Sequence, residues 1–184
     1  MSIGKNIKVI ALATAIGFGL IAQATTAKAA GTETLLVAGG CFWCVESDFE
    51  GVKGVQEAVS GFAGGTVKNP TYKQVVAGGT GHYEVVQIQF DPDVISADQL
   101  LAMFFRSIDP TDAGGQFCDR GDSYRSAIFA DGPAQQAAAE KAKSEAEAAL
   151  GKPVVTPVLG KTAFYPAEDY HQDYYKSDER LAFS

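Results

Sequence analysis

The stretch LLVAGGCFWCVESDFE, residues 35–50, predicts how the fold begins, because a buried strand passes directly into a helix within it. The apolar run at its start is typical of a short strand, which spans Thr34 to Ala38 and ends at two glycines. Beyond the glycines, apolar residues recur at the spacing of one helix face, at Phe42, Val45 and Phe49. Two cysteines, Cys41 and Cys44, therefore stand at the start of this helix, where the first backbone N–H groups have no partners within the helix.

Strands and helices continue to alternate along the rest of the chain. Further strands are predicted at residues 55–62, 83–90 and 125–130. A capping box at Ser96 and Gln99 starts one helix, and Pro133 starts another that reaches Leu150. The first of these two helices has a buried stripe made of Leu100, Leu101, Phe104 and Ile108.

The order of elements predicts the fold class. It is β-α-β-β-α-β, followed by a further helix, an edge strand at residues 153–159 and an aromatic tail. We interpret residues 64–82 as a long, glycine-rich loop. This order favours an α+β two-layer sandwich with a mixed, largely antiparallel sheet and a ferredoxin-like split βαβ core.

The first residues have the features of an export signal. Basic residues precede an apolar run from Val9 to Ala22, and Ala27 and Ala29 have the spacing of a cleavage site. We predict that residues 1–29 are a secretory signal peptide and that residues 30–184 form one domain, exported to the periplasm. An uncleaved membrane anchor is the alternative. After cleavage, no stable membrane insertion is expected.

The charge of the remaining chain excludes several partners. Of the 15 basic residues, Lys5, Lys8 and Lys28 lie in the leader, which leaves 12 against 22 acidic residues and a formal charge of −10. Such a balance argues against binding to nucleic acid or to an anionic membrane surface.

The chain has three cysteines, Cys41, Cys44 and Cys118, and an odd number leaves at least one outside any intramolecular disulfide. We expect the positive end of the helix to favour a thiolate at Cys41 and to lower its pKa. Cys44 lies one helical turn further on, within reach of a disulfide. No metal is expected, because the other candidate ligands, His82 and His171, have no recognised zinc-site spacing.

The strand at residues 83–90 places one carboxylate among apolar residues. Glu84 shares a strand face with Val86 and Ile88, so burial is expected to raise its pKa and to make it a candidate general acid. Alternatively, Glu84 leans into water at the end of the strand. Phe42 and Trp43 are either core residues or the walls of a small apolar pocket suited to a methyl or thioether group.

Polar residues in two loops complete the set of candidates. Cys118, Asp119 and Tyr124 cluster before the strand at residues 125–130, and Tyr72 lies in the loop before Glu84. Tyrosine hydroxyls are good neutral donors to a developing oxyanion.

Five segments together resemble the peptide methionine sulfoxide reductases of the A type. They are GGCFWCVES (39–47), NPTY (69–72), TGHYEVV (80–86), DPTDAGGQFCDRGDSYRSAIF (109–129) and FYPAEDYHQDYY (164–175). The resemblance implies thiol-dependent reduction of methionine S-sulfoxide, free or in proteins, by a monomer without a cofactor. It implies that Cys41 attacks the sulfoxide sulfur and that Glu84 protonates the oxygen. It implies a substrate pocket formed by Phe42, Trp43, Tyr72, Asp119 and Tyr124, with Tyr174 as a further candidate.

The same resemblance implies that Cys41 becomes a sulfenic acid, which a second thiol converts to a disulfide. A thioredoxin-like reductant then reduces that disulfide. Many family members have glycine in place of Cys44 and resolving cysteines in the C-terminal tail, but here no cysteine follows Cys118. We expect Cys44 to resolve the sulfenic acid, with Cys118 or an external thiol as alternatives.

Two other functions compete with this one. A thioredoxin-like thiol–disulfide oxidoreductase would explain the C-x-x-C spacing, but the bulky pair Phe42 and Trp43 would obstruct its partners and Glu84 would have no task. An exported binding module would use the aromatic residues as a cleft and would not need Cys41.

Overall fold

The computed structural model describes residues 31–177, so the predicted signal peptide and its cleavage site lie outside the described residues. No helix in residues 31–177 is both long enough and apolar enough to cross a membrane.

Twelve helices and strands are described, and we number them in chain order. They are β1 (Glu33–Gly39), α1 (Phe42–Glu50), β2 (Val55–Ala63), α2 (Tyr72–Val76), β3 (Tyr83–Phe90), α3 (Ala97–Ser107), β4 (Gly115–Gln116), β5 (Asp119–Arg120), β6 (Ser126–Ala130), α4 (Pro133–Leu150), β7 (Val158–Gly160) and β8 (Phe164–Pro166). Single turns of 3-10 helix are found at Asp122–Tyr124, Asp169–His171 and Tyr174–Lys176.

One mixed sheet of six strands organises the fold, in the order β7-β6-β1-β3-β2-β8. The inner four strands pair antiparallel, which is the arrangement of the predicted split βαβ core. At one edge β7 runs parallel to β6, and at the other edge β8 pairs antiparallel with β2. The predicted α+β fold is confirmed, and the edge strand predicted at residues 153–159 is confined to its last residues.

The main core lies between the helices and one face of the sheet. The strands β1 and β3 contribute alternate residues to it, and α1 and α3 contribute their apolar faces. Its fully buried side chains include Val37, Phe42, Phe49, Val86, Ile88, Leu100, Leu101 and Phe104. Burial of each such side chain contributes roughly 1.5–3 kcal/mol. Glu84 shares the face of Val86 and Ile88, so the sheet directs it towards the helices.

The turn between β1 and α1 requires glycine. Gly40 has a φ of +89°, and a Cβ atom there would lie 2.5 Å from the Cβ of Gln116. Only glycine fits such a backbone without strain. The turn brings Cys41 to the N-cap position of α1.

Helix α2 corrects the prediction that residues 64–82 form a loop throughout. Thr71 accepts a hydrogen bond from the Gln74 N–H, and the Gln74 side chain accepts one from the Thr71 N–H, which is a complete capping box. The pattern was visible in the sequence, but five residues between glycine-rich segments are too few for periodicity to reveal a helix.

The aromatic tail is the second feature that the sequence did not resolve. Its first residues form β8, with Gly61 of β2 opposite Pro166. The chain then continues as the tail segment, which we define as residues 167–177. This segment returns to α1 and to the start of α2.

Replacement of Gly61 by alanine is expected to detach β8 from β2. A Cβ atom at Gly61 would lie 2.5 Å from the Tyr165 carbonyl oxygen and 2.4 Å from the Phe164 ring. We expect Gly61→Ala to lower the free energy of unfolding by about 1–3 kcal/mol, measured by urea denaturation. Gly160→Ala is the control, because a Cβ atom there has no neighbour within 4 Å among the described residues. It should change stability by less than about 0.5 kcal/mol, and an equal effect of the two variants would contradict the proposed clash.

Candidate active site

Cys41 lies where the sheet ends and α1 begins. It is half-buried and accepts hydrogen bonds at its carbonyl oxygen from the Cys44 N–H at 3.1 Å and the Val45 N–H at 3.3 Å. These bonds close the first turn of the helix. Cys44 is exposed one turn further on, and its side chain forms a hydrogen bond with that of Cys41.

Glu84 is directly beside Cys41. Its side chain is only 1% exposed, and its Oε2 accepts a hydrogen bond of 3.1 Å from the N–H of Phe42, the residue after Cys41. Its other oxygen, Oε1, is buried and has no hydrogen-bond partner among the described residues. The carboxyl group is therefore fixed by one oxygen, whereas the other makes no hydrogen bond among the described residues.

Burial raises the pKa of Glu84 to about 8, although the Phe42 N–H lowers it in part. The nearby groups Asp119 and Cys44 contribute to this raised value in the same direction as burial. The direction agrees with the prediction from the alternating strand. Most of the Glu84 side chains are consequently protonated at neutral pH, so that the group can donate a proton.

The predicted lowering of the Cys41 pKa is wrong. The hydrogen bond with the Cys44 side chain raises the pKa of Cys41, and burial raises it further. The Cys44 N–H lowers it, which is the effect that the start of a helix was expected to provide. This effect is smaller than the effects of the Cys44 side chain and of burial. The first amide of α1, that of Phe42, does not add to it, because that amide is bonded to Glu84. Cys41 is therefore a neutral thiol before substrate binds.

Two tyrosine hydroxyls lie near Cys41 and Glu84. Tyr72 begins α2, Tyr124 ends the turn at Asp122–Tyr124, and their side chains form a hydrogen bond with each other. Burial raises the pKa of each tyrosine, and so do the neighbouring Glu84 and Cys41. Both hydroxyls are therefore protonated donors at neutral pH. Asp119 of β5 also raises both pKa values, which places its carboxylate in the same group.

Phe42 and Trp43 belong to a cluster of aromatic rings. Phe42 is fully buried, and its ring centroid lies 5.7 Å from that of Phe62 in β2 and 6.0 Å from that of Tyr72. Trp43 is only partly buried, and its nearest aromatic neighbour is Tyr174, with ring centroids 4.0 Å apart and planes inclined by 22°. Phe42 thus connects the site to the core, whereas Trp43 and Tyr174 form the outer part of the cluster.

His171 is a member of this cluster that was missed as a site residue. It is 2% exposed, and its ring centroid lies 4.3 Å from that of Tyr72 and 5.4 Å from those of Phe42 and Trp43. Neither ring nitrogen has a hydrogen-bond partner among the described residues, and burial lowers the pKa of His171. The signal was the aromatic run FYPAEDYHQDYY, whose contacts with α1 no local pattern reveals.

Cys118 lies at the edge of the site. It is exposed in the short turn between β4 and β5, immediately before Asp119. Its neighbour Phe117 is 70% exposed and has a φ of +50°. The residues predicted from the sequence are therefore brought together, with Cys118 on the solvent side.

Among residues 31–177, one group of side chains could place three ligand atoms around a metal ion, namely Glu46, Glu50 and Asp173. Lys176 already forms ion pairs with Glu50 and Asp173. Glu46 is buried and has both oxygens hydrogen-bonded, and the two more exposed carboxylates are paired with a lysine, so the cluster gives no specific indication of a metal.

A thiol beside a buried carboxylic acid and two tyrosine hydroxyls, next to an aromatic surface and a second thiol, defines a thiol-dependent oxidoreductase. Comparison with known proteins identifies its family. The family described as "Peptide methionine sulfoxide reductase" matches residues 33–183. The chain therefore belongs to the peptide methionine sulfoxide reductases, enzymes that use thiols to reduce methionine sulfoxide and so repair oxidised proteins.

Relatives in other organisms agree with this assignment. "Peptide methionine sulfoxide reductase MsrA 2" of Rhizobium meliloti is 55% identical over 152 residues, which cover 82% of this chain and 75% of the relative. The reduced form of Mxr1 from Saccharomyces cerevisiae is similar in structure, with a TM-score of 0.76, 31% identity and coverage of 83% of this chain and 89% of that chain. Mxr1 in complex with Trx2 aligns with a TM-score of 0.55 and 24% identity, covering 83% and 91%, which shows likeness of fold alone.

Replacement of Glu84 by glutamine is expected to stabilise the protein at alkaline pH. The pKa of Glu84 is raised by folding from 4.5 to about 8, so the wild type loses stability relative to a neutral side chain as the pH rises through this range. We expect Glu84→Gln and the wild type to be similarly stable near pH 4.5. Above pH 8 the variant should be more stable by roughly 2–5 kcal/mol, since each pH unit between the two pKa values corresponds to about 1.4 kcal/mol.

Urea denaturation from pH 4.5 to pH 9 measures this difference. Glu33→Gln is the matched control, because Glu33 is exposed at the start of β1. Its difference from the wild type should not change with pH. If the difference in stability between Glu84→Gln and the wild type also did not change with pH, the Glu84 carboxyl group would not be buried in solution.

Proposed function

We propose that Cys41 is the nucleophile and Glu84 the proton donor in the reduction of methionine S-sulfoxide, free or within proteins. The observation that carries the proposal is the hydrogen bond from the Phe42 N–H to Glu84 Oε2. It fixes the carboxyl group beside the Cys41 thiol and leaves Oε1, which has no partner among the described residues, to carry the proton.

The chemical step follows from the protonation states. The Cys41 sulfur attacks the sulfoxide sulfur while Glu84 gives its proton to the oxygen, which becomes a hydroxyl group. The resulting Glu84 carboxylate then accepts the Cys41 proton. The attack forms a bond between the two sulfur atoms. This bond and the S–O bond of the substrate then break as the hydroxyl group passes to the Cys41 sulfur, so that the products are methionine and a cysteine sulfenic acid. The sulfoxide gains the two electrons that Cys41 loses.

The remaining site residues have matching roles. The hydroxyls of Tyr72 and Tyr124 hold the sulfoxide oxygen as neutral donors, with Asp119 beside them. Phe42 and Trp43 receive the S-methyl group on the opposite side. An oxygen site on one side and an apolar site on the other distinguish the two sulfoxide epimers, and the family resemblance favours the S form.

Cys44 is the proposed resolving residue. Its thiol already contacts that of Cys41, so a disulfide requires a small rearrangement of the first turn of α1. In this step the Cys44 sulfur attacks the Cys41 sulfenic acid, a disulfide forms and water leaves. Cys118 is the alternative, because it is exposed next to Asp119.

A thioredoxin-like dithiol is the proposed reductant of this disulfide. The yeast relative Mxr1 has been solved in complex with Trx2, and the exposure of Cys44 suits attack by a partner thiol. We also propose that the chain is exported to the periplasm and acts there as a monomer. The support for export is the basic, apolar and small-residue order of residues 1–29.

One equivalent of methionine S-sulfoxide tests the proposed chemistry. The reduced wild type should release one methionine and lose two hydrogens as a Cys41–Cys44 disulfide, measured by intact and peptide mass spectrometry. Cys41→Ser should release none. Glu84→Gln should release methionine roughly 10²–10⁴ times more slowly at pH 7, since it keeps the hydrogen-bonding shape but has no proton to transfer.

Two further variants separate the resolving thiols. Cys44→Ser should still release one methionine but should not turn over with thioredoxin. Cys118→Ser should release methionine and should also turn over with thioredoxin. Turnover that survives Cys44→Ser and is lost in Cys118→Ser would reverse the assignment. A wild type that reduces insulin disulfides but not the sulfoxide would contradict the proposed function.

Fractionation of cells that express the full chain tests export. We expect the protein in the periplasmic fraction, with a mature N-terminus at residue 30 by mass spectrometry. An intact leader in the membrane fraction would favour the anchor alternative. Replacement of Ala27 and Ala29 by arginine is the control, since it should block cleavage without altering the domain.

A further inference from the structure

We propose that Glu46 is a positioning residue of this enzyme, whose buried carboxylate holds the tail segment so that Tyr174 covers Trp43. Glu46 touches neither Cys41 nor the proposed sulfoxide site in any described contact; it acts through Asp173 and Tyr174. The inference rests on the proposed function of the aromatic surface as the substrate's methyl pocket.

The contacts of Glu46 join three parts of the chain. It belongs to α1 and is 1% exposed. One oxygen, Oε2, accepts a hydrogen bond from the Ser60 hydroxyl in β2, and the other, Oε1, accepts one from the Asp173 N–H in the tail segment. Burial raises the pKa of Glu46, while these two donors lower it. A carboxylate at this depth is costly unless both oxygens are satisfied, so the contact with Asp173 is a structural requirement.

The N–H group that Glu46 binds belongs to Asp173, the residue immediately before Tyr174. Asp173 has a φ of +54°, a left-handed conformation that turns the chain, and Tyr174 begins the following 3-10 turn. The Asp173 carbonyl oxygen accepts a hydrogen bond of 2.8 Å from the Lys176 N–H within that turn. The position of the Tyr174 ring is therefore set by the point at which the Asp173 backbone is fastened.

Trp43 and Glu46 are three residues apart on α1, so they lie on neighbouring parts of one helix surface. Trp43 stacks on the Tyr174 ring, with 4.0 Å between the ring centroids, and Glu46 binds the N–H of the preceding residue, Asp173. The other rings near Trp43 have centroids at 5.4–6.1 Å. Tyr174 is thus the closest neighbour of the Trp43 ring, and Glu46 holds Tyr174 in that place.

The other anchors of the tail segment fix different residues. Gln172 binds the backbone N–H and carbonyl oxygen of Ser60 through its amide, at 2.9 and 3.0 Å. Glu50 binds the Tyr175 hydroxyl and Lys176 on the solvent side. Ion pairs of this exposed kind contribute little. Glu46 is the buried anchor that lies next to Tyr174.

Fluorescence provides a readout that does not depend on catalysis. Trp43 is the only tryptophan in the chain, so tryptophan emission reports its surroundings alone. We expect Glu46→Ala to change the emission intensity and the acrylamide quenching constant to the values of Tyr174→Ala. In steady-state assays with methionine sulfoxide, Glu46→Ala should raise KM about tenfold and change kcat less than threefold, because Cys41 and Glu84 keep their places.

Two variants distinguish positioning from general stability. Glu46→Gln keeps an acceptor for the Asp173 N–H and a polar contact for Ser60, so it should restore both emission and KM. Asp48→Ala removes a carboxylate from the same helix, but Asp48 contacts Ser107 on α3, so it should alter neither. Glu46→Leu fills the site without an acceptor and should reproduce Glu46→Ala if the alanine variant does not fold.

The double variant Glu46→Ala/Tyr174→Ala decides the matter. Since Glu46 acts through Tyr174, its KM should equal that of Tyr174→Ala alone. The proposal would be overturned if the KM increases of the two single variants multiplied in the double variant. It would also be overturned if Glu46→Ala and Glu46→Leu left the tryptophan emission unchanged. A wild type that does not reduce the sulfoxide would instead overturn the proposed function, and the emission results would still stand or fall independently.

Discussion

The hydrogen bond between the Phe42 N–H and Glu84 Oε2 is the contact on which the rest of the site depends. It joins the first amide of a helix to a carboxyl group on the neighbouring sheet, and neither group has a partner within its own element. A single bond therefore satisfies a helix terminus and places an acid beside the Cys41 thiol. It also withholds the Phe42 amide from the Cys41 sulfur, so this amide does not oppose the hydrogen bond with Cys44 and the burial that raise the pKa of Cys41.

This arrangement has a cost in stability. A carboxyl group that is 1% exposed is kept neutral by its surroundings, and one of its oxygens has no partner among the described residues. Above pH 8, folding would be favoured by a neutral side chain of the same shape at position 84, such as glutamine. Polar groups without hydrogen-bond partners and acids with shifted pKa values are frequent at reactive sites. The desolvation that destabilises the charged form of a buried acid also allows the acid to donate its proton near neutral pH. Glu84 follows this rule, whereas Glu46, equally buried, has both oxygens bonded and belongs to the scaffold.

The sequence predicted those features that depend on spacing within one element. Strict alternation placed Glu84 on the buried face of β3, and the capping box at Ser96 and Gln99 located the start of α3. Two kinds of feature could not be predicted. The pKa of Cys41 depends on opposing effects, since the Cys44 side chain and burial raise it while the Cys44 N–H lowers it. The direction of the shift could therefore not be predicted without the positions of Cys44 and of the Phe42 N–H. The place of β8 depends on its pairing with β2, and the places of His171 and Tyr174 depend on contacts between the tail segment and α1. Nothing in the local sequence identifies partners so far away along the chain.

In the proposed mechanism, the two thiols at the start of α1 give the substrate and the reductant separate access to the site. The sulfoxide reaction requires a desolvated acid and therefore a half-buried sulfur at Cys41, but a reductant protein can only attack a disulfide that it can reach. One helical turn separates Cys41 from Cys44, which is exposed. The proposed disulfide between them would present an oxidised sulfur, that of Cys44, on the solvent side without opening the core around Phe42. In the proposed mechanism, burial of Glu84 and exposure of Cys44 thus meet one requirement, that the substrate reaches the Cys41 sulfur and the reductant reaches the Cys44 sulfur from different sides.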